Sequence, residues 1–188
     1  MLQGERVYST GFLLSIFSIA VPLLFVFISI GLSPWFSFWE NALSDLGHAV
    51  KSGAAPVFNF GLATGGFLIG LVSYRYVLPS DKGRGVILLA TGFFLMLVGV
   101  YDEIYGRLHF IVSILFFLSL MTYLVYTGIR MRSILRLTVF LLHIIIWYLH
   151  LVNDLPPGAA LPELAAVFSF MPFYLYDLLR LQGVHSIG

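Results

Sequence analysis

Cysteine is absent and charge is scarce in this chain of 188 residues. Without cysteine, disulfide bonds, iron–sulfur clusters and thiolate zinc sites are excluded. Charged residues make up 10% of the chain, too few for the surface of a soluble globule of this length. The net charge of +1 gives no reason to expect nucleic acid as a partner. Hydrophobic residues reach 60% and the mean hydropathy is +0.97, so lipid is the expected solvent.

Six apolar runs account for most of this composition. Their lengths suit a crossing of ~30 Å of hydrocarbon, and they lack the period-two alternation of barrel strands. Backbone amides in a bilayer must be satisfied within their own segment, so we predict helices. The first run is too long for a signal-peptide core and should remain as a signal anchor. The runs cover residues 10–30, 55–78, 85–100, 108–126, 134–151 and 161–179.

These runs predict an all-α integral membrane protein, a six-transmembrane-helix bundle forming a single polytopic domain over residues 1–188. Six crossings place both termini on one side with the second and fourth loops. Eight of the ten lysines and arginines fall on that side, and Lys51 and Arg107 fall opposite. The positive-inside rule therefore predicts cytoplasmic termini. The eight are Arg6, Arg75, Lys82, Arg84, Arg130, Arg132, Arg136 and Arg180.

The long first loop, residues 31–54, carries the most informative polar pattern. After Ser33 and Pro34, aromatic and leucine residues recur with helical spacing up to Leu46, which predicts a helix lying in the outer interface. An ordinary interfacial helix with a wet face is the alternative interpretation. The polar face would carry Glu40, Asn41, Ser44, Asp45 and His48.

Polar residues from the other segments are expected on the same side, which predicts a polar site there. Asn59 lies early in the second run, and Glu163 lies at the start of the last one. Of these groups we expect Glu40, Asn41, Asn59, Arg107 and Asn153 to bind substrate. The remaining members are Asp102, Glu103, His109, His150 and Asp154.

A divalent metal such as zinc is one candidate cofactor for this site. Its nitrogen ligands would be His48, His109 and His150, and its oxygen ligand would be Asp154, with Asp45, Asp102 and Glu103 as alternatives. The chain has no H-E-x-x-H motif, so the spacing alone is not a metal signature. Asp154 follows His150 by one helical turn and could orient its imidazole, with a hydrogen-bonded helix end as the alternative.

Catalysis at this site would draw on Ser44, Asp45, Asp102, Glu103 and His109. Ser44 and Asp45 with His48 also permit a nucleophile, acid and base assignment, although residues on one short helix rarely meet that geometry. The pattern Asn41-x-x-Ser44-x-x-x-His48 loosely resembles the first motif of the membrane hydrolases that include alkaline ceramidases and progestin/adiponectin receptors. That resemblance implies a zinc amidase, but the chain has six predicted spans rather than seven and no histidine in the last.

A closer resemblance is to domain-of-unknown-function family 998, small membrane proteins of archaea and bacteria. It is carried by Leu43-Ser44-Asp45-Leu46-Gly47, by Phe58-Asn59-x-Gly61-Leu62 with Gly65 or Gly66, and by His109 followed by Phe116-Phe117, over residues 40–124. The resemblance implies a multi-helix fold in the plasma membrane of an archaeon or bacterium. Ser44, Asp45, Asn59 and His109 would be family positions, with no established activity.

The fifth run holds a second candidate feature, because Arg136, His143 and His150 recur every seven residues on one helix face. Such a stripe could form a proton or ion path, or contact a haem or quinone. The alternative is a histidine bonded to a neighbouring helix and an arginine that anchors the interface. In the second run, Gly61 with Gly65 and Gly66 with Gly70 predict close helix packing.

Three classes of function remain open. The first is a membrane-embedded enzyme, such as a metal-dependent hydrolase, or a binding protein for a lipid headgroup or amphipathic substrate. The second is a small transporter or channel that uses the stripe in the fifth run. The third is a non-catalytic membrane component. An outer crevice favours the first, a continuous polar route the second, and a solid bundle the third. The sequence leaves the oligomeric state open.

Overall fold

The computed structural model describes residues 10–183, and Arg6, one of the eight cations above, lies outside this range. Six long helices cross the structure, each apolar and long enough to span a membrane. The chain is therefore a multi-pass membrane protein with the predicted all-helical architecture. The helices are α1 Thr10–Gly31, α2 Ala55–Val72, α3 Lys82–Val100, α4 Arg107–Arg130, α5 Ile134–Asn153 and α6 Ala160–Gly183.

The helix ends follow local capping chemistry. Pro56 lies in the first turn of α2, where its missing N–H costs nothing. At the end of α2, one turn of π-helix, Ser73–Val77, extends the span, and the Ser73 hydroxyl donates to the carbonyl of Gly85. Asp81 caps α3 by accepting from the Arg84 N–H at 3.0 Å. This cap starts α3 three residues before the apolar run at 85–100, which is why the third span is longer than expected.

Glycines bring α2 against both of its neighbours. A Cβ atom on Gly65 would lie 2.5 Å from a side-chain carbon of Pro22 in α1. On the other side, a Cβ atom on Gly92 of α3 would lie 2.5 Å from the Gly66 carbonyl oxygen. The predicted small-residue packing of α2 is thus present, with Gly65 directed toward α1 and Gly66 toward α3.

The buried core lies between α1, α2, α3, α4 and α6, and α5 packs on its outside. Tyr123 of α4 and Tyr174 of α6 are among the largest fully buried side chains. On α5, by contrast, the buried residues are Arg136 and His143. The fully buried side chains of α5 are thus polar, and half-buried apolar residues such as Trp147, whose ring packs against Phe117 of α4, add to its packing.

One end of the bundle, called here the termini end, holds Thr10, Gly183 and the turns at 78–81 and 131–133. A buried ion pair lies here between α5 and α6: Arg136 Nη1 and Nη2 donate to Asp177 at 2.8 and 2.5 Å. The Tyr123 hydroxyl also donates to Asp177, at 2.7 Å, and Arg136 donates to the Thr127 hydroxyl. Arg136 is thus an internal group rather than the interfacial anchor considered from the sequence.

The two histidines of the α5 stripe also contact α6 or the turn before it. His143 Nε2 is 2.5 Å from the Ser169 hydroxyl, and His150 Nδ1 is 2.8 Å from the Pro156 carbonyl oxygen. Together with the contact between Arg136 and Asp177, these bonds pack the stripe against α6 and the turn before it. They match the alternative in which a buried histidine bonds a neighbouring helix.

Candidate functional site

The opposite end of the bundle, the loop end, is formed by residues 32–54, 101–106 and 154–159. The first loop there is a series of turns followed by a five-residue 3-10 helix, Leu43–Gly47. The continuous helix expected from Ser33 onward is therefore wrong. Local hydrogen bonds from side chains to the backbone compete with the helix. Asn41 Oδ1 accepts from the Ser37 N–H, and the Asp45 carboxylate accepts from the Ala42 N–H. Such side-chain bonds satisfy backbone amides without a helix.

The first loop is bonded to the bundle rather than folded away from it. The N–H of Gly158 donates to Trp39 O and that of Ala160 to Asn41 O, both at 2.9 Å. A side chain on Gly158 would collide with the backbone of Asn41, so glycine permits this approach. These bonds bring the first loop and the start of α6 together, as the predicted polar site requires.

Three carboxyl groups meet at this end, and they are called here the acidic cluster: Asp45, Glu103 and Glu163. The Leu43 N–H donates to Glu163 Oε2 at 2.7 Å, which ties the first loop to α6. The Ser44 hydroxyl donates to Glu103 Oε1 at 3.2 Å, which ties the same loop to the turn before α4. Asp45 lies close enough to Glu103 for its charge to act on that carboxyl group. The three carboxyl groups therefore influence one another electrostatically.

The surroundings of Glu103 shift its pKa upward. Burial, followed by the charge of the adjacent Asp45 carboxylate, raises the pKa of Glu103 to about 7. The Ser44 hydroxyl and the Lys51 ammonium act in the opposite direction but are weaker. Glu103 therefore changes charge near neutral pH, whereas an ordinary glutamate does so near 4.5.

A narrow apolar cavity extends from the acidic cluster into the bundle. Its volume is about 90 Å³, and its polar end is formed by Ser44 and Glu163. It continues along α6 at least to Phe170, seven residues or ~10 Å below Glu163. The walls come from α1, α2, α3, α4 and α6, and include Ile19, Val26, Leu62, Leu95, Val98 and Leu120.

The predicted metal ligands are not brought together. Over residues 10–183 there is no group of three or more His, Asp or Glu side chains placed to hold a metal ion. His109 Nδ1 bonds the Tyr101 carbonyl oxygen at 2.7 Å, and His48 Nδ1 accepts from the Val50 N–H. His150 bonds Pro156 rather than the Asp154 carboxylate, because Asp154 ends α5 in the left-handed conformation, with φ 54°. The structure thus provides no preformed set from His48, His109, His150 and Asp154.

The remaining candidate residues are either hydrogen-bonded within the loop end or exposed. Asn41 contacts the acidic cluster through Asp45, and Asn59 donates to the Gly47 carbonyl, so both shape the first loop. Asp102 caps the 3-10 helix Glu103–Tyr105 by accepting from the Ile104 N–H. Ser44 faces Glu103 instead of His48, so a triad of Ser44, Asp45 and His48 is not formed. Glu40, Arg107 and Asn153 are exposed.

Glu163 was expected at this end but not as a site residue, and the structure makes it central. It is 8% exposed and touches both the first loop and the cavity. Its sequence signal is a lone glutamate in the first turn of the last apolar helix, which helix-dipole stabilisation explains equally well. Only the hydrogen bond that Glu163 accepts from the Leu43 N–H distinguishes a residue of the site from one that merely stabilises the helix dipole.

A family model described as "Protein of unknown function (DUF998)" matches residues 16–176. The chain belongs to this family. The match includes the whole acidic cluster and the cavity walls, and it confirms the resemblance carried by the Ser44-Asp45 segment, Asn59 and His109. No curated protein and no solved structure gave a match. The similarity to the ceramidase and receptor superfamily stays a prediction.

The raised pKa of Glu103 predicts how the stability of this DUF998 protein depends on pH. A carboxyl group with a raised pKa stabilises the folded state fully below its unfolded value of 4.5, and this contribution is lost as the pH rises through about 7. The melting temperature in detergent should therefore be lower at pH 8 than at pH 5. Glu103→Gln should reduce this difference. Glu40→Gln, at an exposed carboxylate of the first loop, is the control, and an equal reduction there would contradict the assignment.

Proposed function

We propose that this protein binds a single-chain amphiphile, with the apolar chain in the cavity and the polar head at the acidic cluster. The observation that carries the proposal is the cavity itself, whose walls are apolar apart from the hydroxyls of Ser18 and Ser113 and whose end at the loop side is formed by Ser44 and Glu163. A cavity with one polar end matches a ligand with one polar end.

The head group rather than the chain should decide selectivity. Lipid tails are already in an apolar solvent, so moving a chain from the bilayer into the cavity gains little hydrophobic free energy. The acidic cluster offers carboxyl oxygens and one hydroxyl, which suit a head that donates hydrogen bonds, such as an amine or an alcohol. A carboxylate head would meet like charge from Asp45.

The location of the site follows from the charge distribution. We propose that the protein lies in the plasma membrane of an archaeon or bacterium with both termini cytoplasmic, because the cations concentrate at the termini end. The acidic cluster would then lie at the outer surface. The ligand would enter from the outer leaflet or from outside.

Hydrolysis of the bound amphiphile is a second candidate, favoured by the Ser44 contact with Glu103. A carboxylate with a pKa of about 7 is suited to accept a proton at neutral pH. Ser44 would then attack an ester or amide carbonyl in the head group, with Glu103 taking the hydroxyl proton and passing it to the alcohol or amine that leaves as its bond to the carbonyl carbon breaks. Water, deprotonated by Glu103, would then release the acyl group from Ser44, and the proton would return to the Ser44 oxygen. Cleavage would be detected by mass spectrometry of the same vesicles that test binding, after incubation with an ester-linked amphiphile.

Photolabelling tests the binding proposal directly. The protein is reconstituted in phosphatidylcholine vesicles with a long-chain alkylamine that carries a mid-chain diazirine and a terminal alkyne. We expect labelled peptides from the cavity walls, and competition by the plain alkylamine. Val98→Phe fills the cavity and should reduce this labelling about tenfold, equivalent to ~1.4 kcal/mol.

Two controls distinguish specific binding of the probe from its simple partitioning into the membrane. Val100→Phe adds the same bulk on the same helix at an exposed position and should leave the labelling unchanged. A fatty acid probe of equal length should label the cavity less. The proposal is wrong if only outward-facing residues are labelled, or if Val98→Phe and Val100→Phe label alike.

A further inference from the structure

A second groove lies at the termini end, between α5 and α6, and plays no part in the amphiphile site. Its volume is about 450 Å³. Its lining residues include Ser133, Leu135, Arg136, Phe173, Tyr176 and Arg180. Two arginines and the hydroxyls of Ser133 and Tyr176 thus share a groove with apolar and aromatic walls.

The groove carries positive charge that the protein does not neutralise. Arg136 is paired with Asp177, so its charge is largely compensated. Arg180 is exposed, lies 5.4 Å from the centre of the Tyr176 ring, and makes no ion pair within residues 10–183. The Ser133 side chain makes no capping bond to the first turn of α5, so its hydroxyl stays available. An anion would complete these contacts.

The walls of the groove indicate the rest of the ligand. Leu135 is 64% exposed and Tyr176 is 49% exposed, and both lie on helices that span the membrane. Apolar side chains that are open at the edge of a bilayer contact acyl chains, and tyrosine is typical of the level of the lipid head groups. The occupant therefore combines a negative head with a hydrocarbon tail.

We infer that this groove binds the phosphate of an anionic phospholipid, with Arg180 and the Ser133 hydroxyl on the phosphate and the acyl chain along Leu135. Basic pockets between transmembrane helices are known sites for such head groups. Charge complementarity selects an anionic lipid over a zwitterionic one.

Native mass spectrometry measures this preference. The purified protein is mixed in detergent with equal amounts of phosphatidylglycerol and phosphatidylcholine, and the retained lipid is counted. The wild type should retain phosphatidylglycerol preferentially. Arg180→Gln should lower its retention about fivefold, the effect of one arginine near a lipid surface, and Arg180→Lys should keep most of it.

The chain offers a matched control in Arg75, which is also exposed at the termini end and lies 5.6 Å from the Tyr76 ring, but outside this groove. Arg75→Gln should bind phosphatidylglycerol like the wild type. The inference fails if Arg75→Gln loses as much lipid as Arg180→Gln, or if the two lipids are retained equally. Displacement of the lipid by inorganic phosphate at equal concentration would assign the groove to free phosphate and overturn it as well.

Discussion

Asp177→Asn should lower the free energy of unfolding by about 3–5 kcal/mol, the usual cost of removing one partner from a buried ion pair. Asp177 is fully buried and accepts hydrogen bonds from Arg136 and Tyr123. Arg84 lies 3.9 Å from the same carboxylate. The neutral amide cannot compensate the charge of Arg136, and an uncompensated guanidinium between helices is strongly unfavourable.

Circular dichroism during denaturation in detergent micelles measures this loss. Asp154→Asn is the matched control, because Asp154 lies at the exposed end of α5 with φ 54°, a conformation that asparagine tolerates. It should change the unfolding free energy by less than about 0.5 kcal/mol. Arg136→Met combined with Asp177→Leu should cost less than the sum of the single changes, since both charges of the pair are removed together and Arg84 keeps its ion pair with Asp81. Additive losses would show that the pair is not coupled.

Gly92→Ala is expected to have the second largest effect, a loss of about 1–3 kcal/mol or more from overpacking. The new Cβ atom would lie 2.5 Å from the Gly66 carbonyl oxygen and 2.8 Å from the Gly70 nitrogen. Both neighbours are backbone atoms, which cannot rotate away as a side chain can. The substitution therefore has to separate α2 from α3 along their whole contact.

The same denaturation assay tests this prediction, with Gly70→Ala as the control. A Cβ atom on Gly70 meets nothing within 4 Å. Alanine also has the higher helix propensity, so Gly70→Ala should leave the stability unchanged or raise it by up to about 1 kcal/mol. If Gly92→Ala were equally harmless, the close approach of α2 and α3 would not be a source of stability.

The sequence predicted the helices more accurately than the loops. Each of the six apolar runs corresponds to a helix, since hydropathy and backbone satisfaction are properties of a single segment. The first loop was predicted as a helix and is not one until Leu43. Its aromatic spacing fits a helix, but Asn41 and Asp45 bond the backbone in turns instead. The spacing of the aromatic residues carries no information about these hydrogen bonds between side chains and backbone.

The candidate site was predicted in part. Ser44, Asp45 and Glu103 meet, as the convergence of the loops suggested. The metal assignment to His48, His109 and His150 has no support in the geometry, because residues 10–183 contain no group of three or more His, Asp or Glu side chains placed to hold a metal ion. Residues on the same side of a membrane share a level along the bilayer normal, but their lateral positions depend on how the helices pack.

The sequence by itself determined that this is a six-span membrane protein, which loops share an end of the bundle, and where its polar residues concentrate. These properties depend on the composition and order of single segments. The tertiary structure alone decided that Glu163 joins the acidic cluster, that Asp177 pairs with Arg136, and that a cavity opens below Ser44. Such contacts join distant parts of the chain, and helix packing selects them among many partners of similar chemistry.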